Sequence, residues 1–314
     1  MSFAPRSMVG SGSPATPRRT MAGQAVLLMI VTAIVIPLLN ATVKYLGGRY
    51  PVAELQWLRY AGHFLFMMVV FLPRYRWALF RTRRPDLQAA RSVLFCASSL
   101  IMFYALEHTP LATATAIGFT APLMVTALAP LLLRENVGPV RLCAVVVGFV
   151  GALIVVRPGY SPLHWSAALI FLSAMTSALT QILSRKLSGQ DPSATSSTYM
   201  VLLGFALSSI PVPFVWVPPA DLRDAILFLA LGTLGGFGHY CLVRAFEVAP
   251  APFVAPFIYL QIFGAAALGW LAFGQLPDLW TWVGSAVIIA SGIVVLLRER
   301  RRGSTVAAQA TSDD

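Results

Sequence analysis

Apolar residues in this chain come in long continuous runs rather than in the narrow stripes of helices that share a face with water. The runs cover 21–46, 53–72, 87–107, 110–133, 138–157, 163–183, 195–217, 223–246, 250–273 and 278–297. An α-helix needs about 20 residues to cross the hydrocarbon layer, so the pattern predicts ten transmembrane helices. Only Glu107-His108-Thr109 separates the third run from the fourth, and only Glu247-Val248-Ala249 the eighth from the ninth. Pro110 and Pro250 suit the first turn of a new helix and place a break at each point. The first run is too long for a signal-peptide core and lacks an A-x-A-like cleavage site, so it reads as an uncleaved span. Residues 1–20, rich in Ser, Pro, Gly and Thr, read as a disordered cytoplasmic leader, and 299–314 as a cytoplasmic tail.

Composition agrees with the pattern. The chain is 57% hydrophobic and 11% charged, whereas a soluble domain carries about 25% charged residues to cover its surface. The net charge of +11 does not mark a nucleic-acid partner, because the basic residues sit between apolar runs. Assigned to alternate loops, 18 Lys and Arg fall on one side and four (Lys44, Arg49, Arg157, Arg223) on the other, with Arg59 inside a span. The positive-inside rule then places both termini in the cytoplasm. Cys96, Cys143 and Cys241 lie within apolar runs at no metal-ligand spacing and read as buried spectator thiols.

An internal repeat refines the architecture. Ala105, Glu107 and Pro110 recur as Ala245, Glu247 and Pro250, each set between the third and fourth spans of its half. The repeat unit is therefore five helices long, over 21–158 and 163–298. An odd unit must enter the bilayer in opposite senses, which puts Glu107 near the outer face and Glu247 near the inner one. The expected fold is an all-α integral membrane protein of two inverted five-helix repeats, an arrangement that places solute near the midplane between the halves.

Specific residues carry a family resemblance. Tyr104 to Ile117, Ala121-Pro122-Leu123, Leu133-Arg134-Glu135, Gly148 to Ile154 and Arg157-Pro158 in the first half resemble EamA-type members of the drug/metabolite transporter superfamily. In the second half, Leu231 to Gly235, Arg244-Ala245-Phe246, Ala255-Pro256-Phe257, Pro277-Asp278 and Gly284 to Gly292 are similar to the family's second domain. The resemblance implies a ten-helix secondary carrier of small metabolites in a bacterial-type cytoplasmic membrane. It leaves substrate and oligomeric state, a homodimer included, open. One departure stands out: the acidic position occupied by Glu135 is Gln275 in the second half.

Candidate chemistry follows from polar residues in apolar surroundings. Arg59 is costly inside a span and is kept for a partner or a water-lined cavity. His63 shares its helical face at i+4. Together they suit an anionic or carboxylate-bearing solute, and the competing reading is a structural ion pair of Arg59 with Glu54 or Glu107. Glu107 and Glu247, at equivalent helix breaks, are candidates for proton coupling, against a local capping or pairing role; Arg244 lies three residues from Glu247. Asn40, Gln181, His239 and Gln261 are positioned to hydrogen-bond solute or neighbouring helices, and Tyr104, Tyr240 and Tyr259 to stack on a flat solute. Lys44 is expected to snorkel to the outer headgroups. His239 has no second His or acid at i+4, so no metal site is assigned, and no cofactor is implied. Pro110, Pro122, Pro250 and Pro256 mark helix breaks or hinges, and those in spans 4 and 9 point to the translocation path.

These features converge on a secondary transporter working by alternating access, with export as the first expectation and uptake of an aromatic or heterocyclic, nucleoside-like or vitamin, metabolite as the alternative. An intramembrane enzyme would need a convergent catalytic constellation, and none stands at a recognisable spacing. A non-transporting membrane subunit is the third reading, separated from the first by flux in reconstituted liposomes.

Overall fold

Prolines and glycines, more than changes in polarity, decide where these apolar runs bend. The computed structural model describes residues 19–158 and 164–310, so the leader 1–20 falls almost wholly outside the described residues. The first half comprises α1 (Arg19–Leu46), α2 (Val52–Tyr75), α3 (Pro85–His108), the pair α4 (Leu111–Gly118) and α5 (Ala121–Leu132), and α6 (Pro139–Val156). The second comprises α7 (His164–Leu187), α8 (Ser193–Ser208), α9 (Val212–Val215), α10 (Leu222–Val248), α11 (Ala251–Val254), α12 (Gln261–Phe273) and α13 (Leu279–Ala310). Among the described residues nine helical segments are long and apolar enough to cross a bilayer, α4 and α5 counting as one segment, and α8 is a shorter apolar tenth.

Three expected spans are reshaped. The run 195–217 ends as a helix at Ser208, because Pro211 and Pro213 interrupt the amide ladder and Ser208 and Ser209 turn their hydroxyls onto Gly204 and Phe205 carbonyls. In the run 250–273, α11 gives way to a 3-10 segment, Ala255–Leu260, with Pro256 at its start, before α12 resumes. The break between α4 and α5 falls at Phe119-Thr120, so Pro122 lies in the first turn of α5. Pro110 precedes α4 as its N-cap, and Pro37 lies inside α1. The Ala33 carbonyl that Pro37 leaves without its helical donor is covered by Gly264 of α12, where any Cβ would collide with it. The helix of the last span, α13, continues to Ala310.

The helices pack with a two-fold exchange of partners. α1 lies against α10 as α7 lies against α3; α1 meets α12 as α7 meets α5; α2 meets α10 as α8 meets α3. The pairs α6 with α13 and α2 with α8 map onto themselves, and α4 of one half lies against α12 of the other. Backbone detail repeats as well. Pro110 accepts from Ala114 as Pro250 accepts from Val254, and Ala129 accepts from Glu135 as Gly269 accepts from Gln275, each at an offset of 140 residues. Five crossings per half make the two halves antiparallel, with their seam running through the centre of the bundle. At the α2–α10 seam Gly62 and Gly232 bring backbone onto backbone, and a side chain on either would strike the other's Cα.

Candidate functional site

A cavity of about 270 Å³ opens beside this seam, walled by α1, α2, α3, α4 and α7. α3 supplies Phe95, Ser98, Ser99, Met102 and Phe103, a stripe at i, i+3, i+4, i+7 and i+8 that puts all five on one helical face. α1 adds Asn40, and α7 adds Ser173 and Ser177 one turn apart. Ser98 and Ser173 donate to each other's carbonyl oxygens at 2.8 Å, which stitches α3 of one half to α7 of the other. A larger space of about 690 Å³ lies between α2 and α10, but its lining is apolar and includes the outward-facing Leu65, Val69 and Leu229. Such a groove suits acyl chains, and the smaller polar cavity holds the chemistry.

Arg59 is the charged group of that cavity. It is 9% exposed, and its Nε and one Nη have no hydrogen-bond partner. The guanidinium stands 5.2, 5.4 and 5.5 Å from the ring centroids of Tyr60, Phe95 and Phe103, so aromatic faces rather than a carboxylate surround it. The expected ion pair with Glu54 or Glu107 is not found among the described residues. Glu54 accepts from the Val217 amide at 3.1 Å, and Glu107 lies under Gly47 with His108 Nε2 at 3.9 Å from its carboxylate. Gly235 of α10 leaves room for the Arg59 stem; a Cβ there would stand 3.2 Å from Arg59 Cγ.

His63, one turn beyond Arg59, is fully buried with both ring nitrogens unpartnered. Its ring centroid lies 5.3 Å from that of His239, whose Nε2 is also buried and unpartnered. Neighbouring positions in sequence had offered His239 no second ligand; the fold brings one from another helix. No group of three or more His, Cys, Asp or Glu that could hold a metal occurs among the described residues.

Tyr259 is buried in the 3-10 segment and meets Phe119 edge to face, while Gln261 opens α12 half-buried. The remaining candidates lie elsewhere. Tyr104 is 46% exposed and packs against Trp165 and His108, Gln181 is exposed, and Tyr240 meets Phe66 edge to face and Phe71 at a tilt. Glu247 pairs with Arg244 at 2.6 Å in a half-exposed position. Lys44 does not snorkel: its Nζ donates to the Leu106 and Thr109 carbonyls at 2.8 Å, capping the end of α3. Cys143 is exposed rather than buried. The sequence reading passed over Phe95, Ser173 and Ser177; the α3 stripe spacing was the available signal for the first.

Two polar clusters tie the halves together at opposite ends of the bundle. At one end Arg49 donates two hydrogen bonds to Asp224, which also accepts from Tyr50 at 2.7 Å. At the other end Asp191 accepts from Thr82 at 2.5 Å, Gln88 at 2.9 Å and the Arg83 amide at 3.1 Å.

An inverted pair of five-helix halves around a polar cavity at their seam defines a membrane transporter. The EamA-like transporter family model matches the chain twice, over residues 23–157 and 164–297, and the chain belongs to that family. It is 31% identical to a riboflavin transporter of Rhizobium johnstonii, over 91% of this chain and 94% of that one. It is 28% identical to an S-adenosylmethionine uptake transporter of Rickettsia prowazekii (89% and 93% covered) and 29% identical to a pseudopaline exporter of Pseudomonas aeruginosa (86% and 95%). A solved crystal structure superposes with a TM-score of 0.62 at 18% identity, over 90% of this chain and 99% of that chain, which shows a shared fold.

Proposed function

We propose that this chain is a secondary carrier that moves a small organic metabolite across the cytoplasmic membrane by alternating access of its two halves, receiving an acidic group of the solute at Arg59. It is a transporter rather than an enzyme, as are the similar proteins named above. The observation that carries the reading is a buried guanidinium with unpartnered nitrogens in a cavity whose walls come from both halves. An unpaired charge at this depth costs several kcal/mol in a hydrocarbon surround, and a solute acid offsets that cost when bound. For the cavity to reach one face, the Arg49–Asp224 cluster or the Asp191 cluster must part. The relatives include both an uptake transporter and an exporter, so the expectation of export has no support over uptake.

The test is flux in liposomes reconstituted with the full chain, screened against a metabolite library that includes riboflavin and S-adenosylmethionine. Arg59→Ala is expected to abolish transport of the solute found while leaving membrane insertion intact. Full retained flux in that variant would sink the assignment of Arg59. The distribution of Lys and Arg supports a cytoplasmic location for both termini; reporter fusions at each end check this, and a periplasmic C-terminus would overturn it.

A further inference from the structure

Arg59 is not alone in lacking a partner. Of the buried side-chain nitrogens left unpaired among the described residues, five belong to Arg59, His63 and His239, and all three side chains meet at the α2–α10 seam. Buried polar groups are almost always satisfied, so five orphans in one cluster mark a missing ligand. Each neutral imidazole carries one N–H and one acceptor nitrogen while the guanidinium carries only donors, so unpartnered donors outnumber acceptors and the cluster suits a ligand that chiefly accepts. Among the described residues, the charged groups within electrostatic reach of the two imidazoles, from α2 and α3, are Arg59 and Arg91, both cationic, and no acid lines the cavity.

We infer that His63, His239 and Arg59 together form a site for an oxyanion head group, carboxylate or phosphate, on a solute that carries no positive charge, and that the bound oxyanion bridges the two halves. This rests on the carrier reading above and gives its substrate class. The His63 and His239 rings lie 5.3 Å apart, centroid to centroid, behind Arg59, the member of the cluster that lines the cavity, so the head group enters past the guanidinium. The solute body lies in the cavity against Phe95 and Phe103, where about 270 Å³ holds a small organic group. The faces of Phe95 and Phe103 suit a small, flat, apolar body. A solute ammonium would find no counter-charge there, which separates this class from zwitterions. Because α2 belongs to one half and α10 to the other, the oxyanion holds the seam closed when present.

The test uses the purified full chain in detergent, with benzoate and phenyl phosphate as probes and benzylamine as the cationic control, read by thermal melting. Benzoate, phenyl phosphate or both should raise the melting temperature with a saturable concentration dependence, and benzylamine should not. A response to benzoate alone assigns a carboxylate head, and to phenyl phosphate alone a phosphate head. His239→Gln and His63→Gln should each weaken the apparent affinity about tenfold, the loss of one charge-assisted bond. Arg59→Lys, which keeps the charge in case Arg59→Gln does not fold, should weaken it less than Arg59→Gln, and His108→Gln should leave it unchanged. No response to either acid, an equal response to benzylamine, or a response that survives His239→Gln overturns the site. Flux of the better probe in liposomes keeps the two claims apart. Binding without flux removes the carrier reading and spares the site, while flux unaffected by His239→Gln does the reverse.

Discussion

The rings of Phe119 and Tyr259 meet edge to face with centroids 5.0 Å apart, and the two residues stand 140 positions apart in the chain. That offset also relates Glu107 to Glu247, Pro110 to Pro250 and Glu135 to Gln275. Residues related by a two-fold axis touch each other only where they lie on it, so this ring pair marks the axis at the helix breaks of both halves. The positions on it are not identical. Tyr259 adds a hydroxyl that reaches Gly292 of α13, where any Cβ would overlap it.

Gly292→Ala should therefore overpack the axis and destabilise the protein by about 1–3 kcal/mol. Thermal melting in detergent checks this. Adding Tyr259→Phe to that variant removes the colliding oxygen and should recover part of the loss. If the double variant melts no higher than Gly292→Ala alone, the hydroxyl is not the contact that decides.

Much of this was legible in the chain, and the reasons are local. A run of apolar residues declares a span whatever packs on it, and Pro110 and Pro250 declare breaks because they lack an amide hydrogen. The repeat was visible because Glu107 and Glu247 recur at a fixed spacing. The end of α8 was misjudged because Ile210, Val212 and Val215 keep the hydropathy high while the prolines between them end the helix. Arg59 stood out because charge in a span is rare, but its surroundings did not, since Phe95, Phe103 and Gly235 are ordinary residues that only tertiary packing brings to it. The meeting of His63 and His239, 176 positions apart, has no local signature at all.

Asp224 is 1% exposed and takes hydrogen bonds from Arg49 and Tyr50 across the boundary between halves. Asp224→Asn keeps the shape and removes the charge, which should cost about 1.5–3 kcal/mol, the range for bonds to an ionised group. It should also favour whichever conformation has this end open. Deuterium labelling of the Ala220 amide, which donates to Tyr50 at 2.9 Å, reads the opening. Faster labelling in Asp224→Asn is expected, and unchanged labelling would show that this cluster does not hold the end closed.

The Asp191 cluster predicts a pH dependence. Burial by itself would raise the proton affinity of its carboxyl, but donation from Thr82, Gln88 and the Arg83 amide outweighs burial and holds the group below the usual carboxylate range. A depressed folded-state value means the stabilisation is complete above the unfolded value of about 3.9. It is lost as pH falls through the lower folded value. Melting measured from pH 7 down to pH 3 should therefore show a destabilisation below about pH 4 that Asp191→Asn reduces. Identical slopes in the two proteins would count against it.

Gly235 separates room for Arg59 from the chemistry of Arg59. A Cβ added there would stand 3.2 Å from Arg59 Cγ, closer than ordinary contact, and the aliphatic stem of an arginine has the torsional freedom to give way to a methyl group but not to a branched side chain. Gly235→Ala should lower flux modestly, while Gly235→Leu should displace the guanidinium from Phe103 and Phe95 and reduce flux to the level of Arg59→Ala. Combining Gly235→Leu with Arg59→Ala, read by thermal melting in detergent because Arg59→Ala alone abolishes flux, tests whether the two act through one contact, since changes that share a partner are not additive. If the double variant melts higher than Gly235→Leu alone, removal of the Arg59 stem relieves the clash and Gly235 acts by seating Arg59. If the two losses add, the glycine serves the α2–α10 seam independently, in company with Gly62 and Gly232.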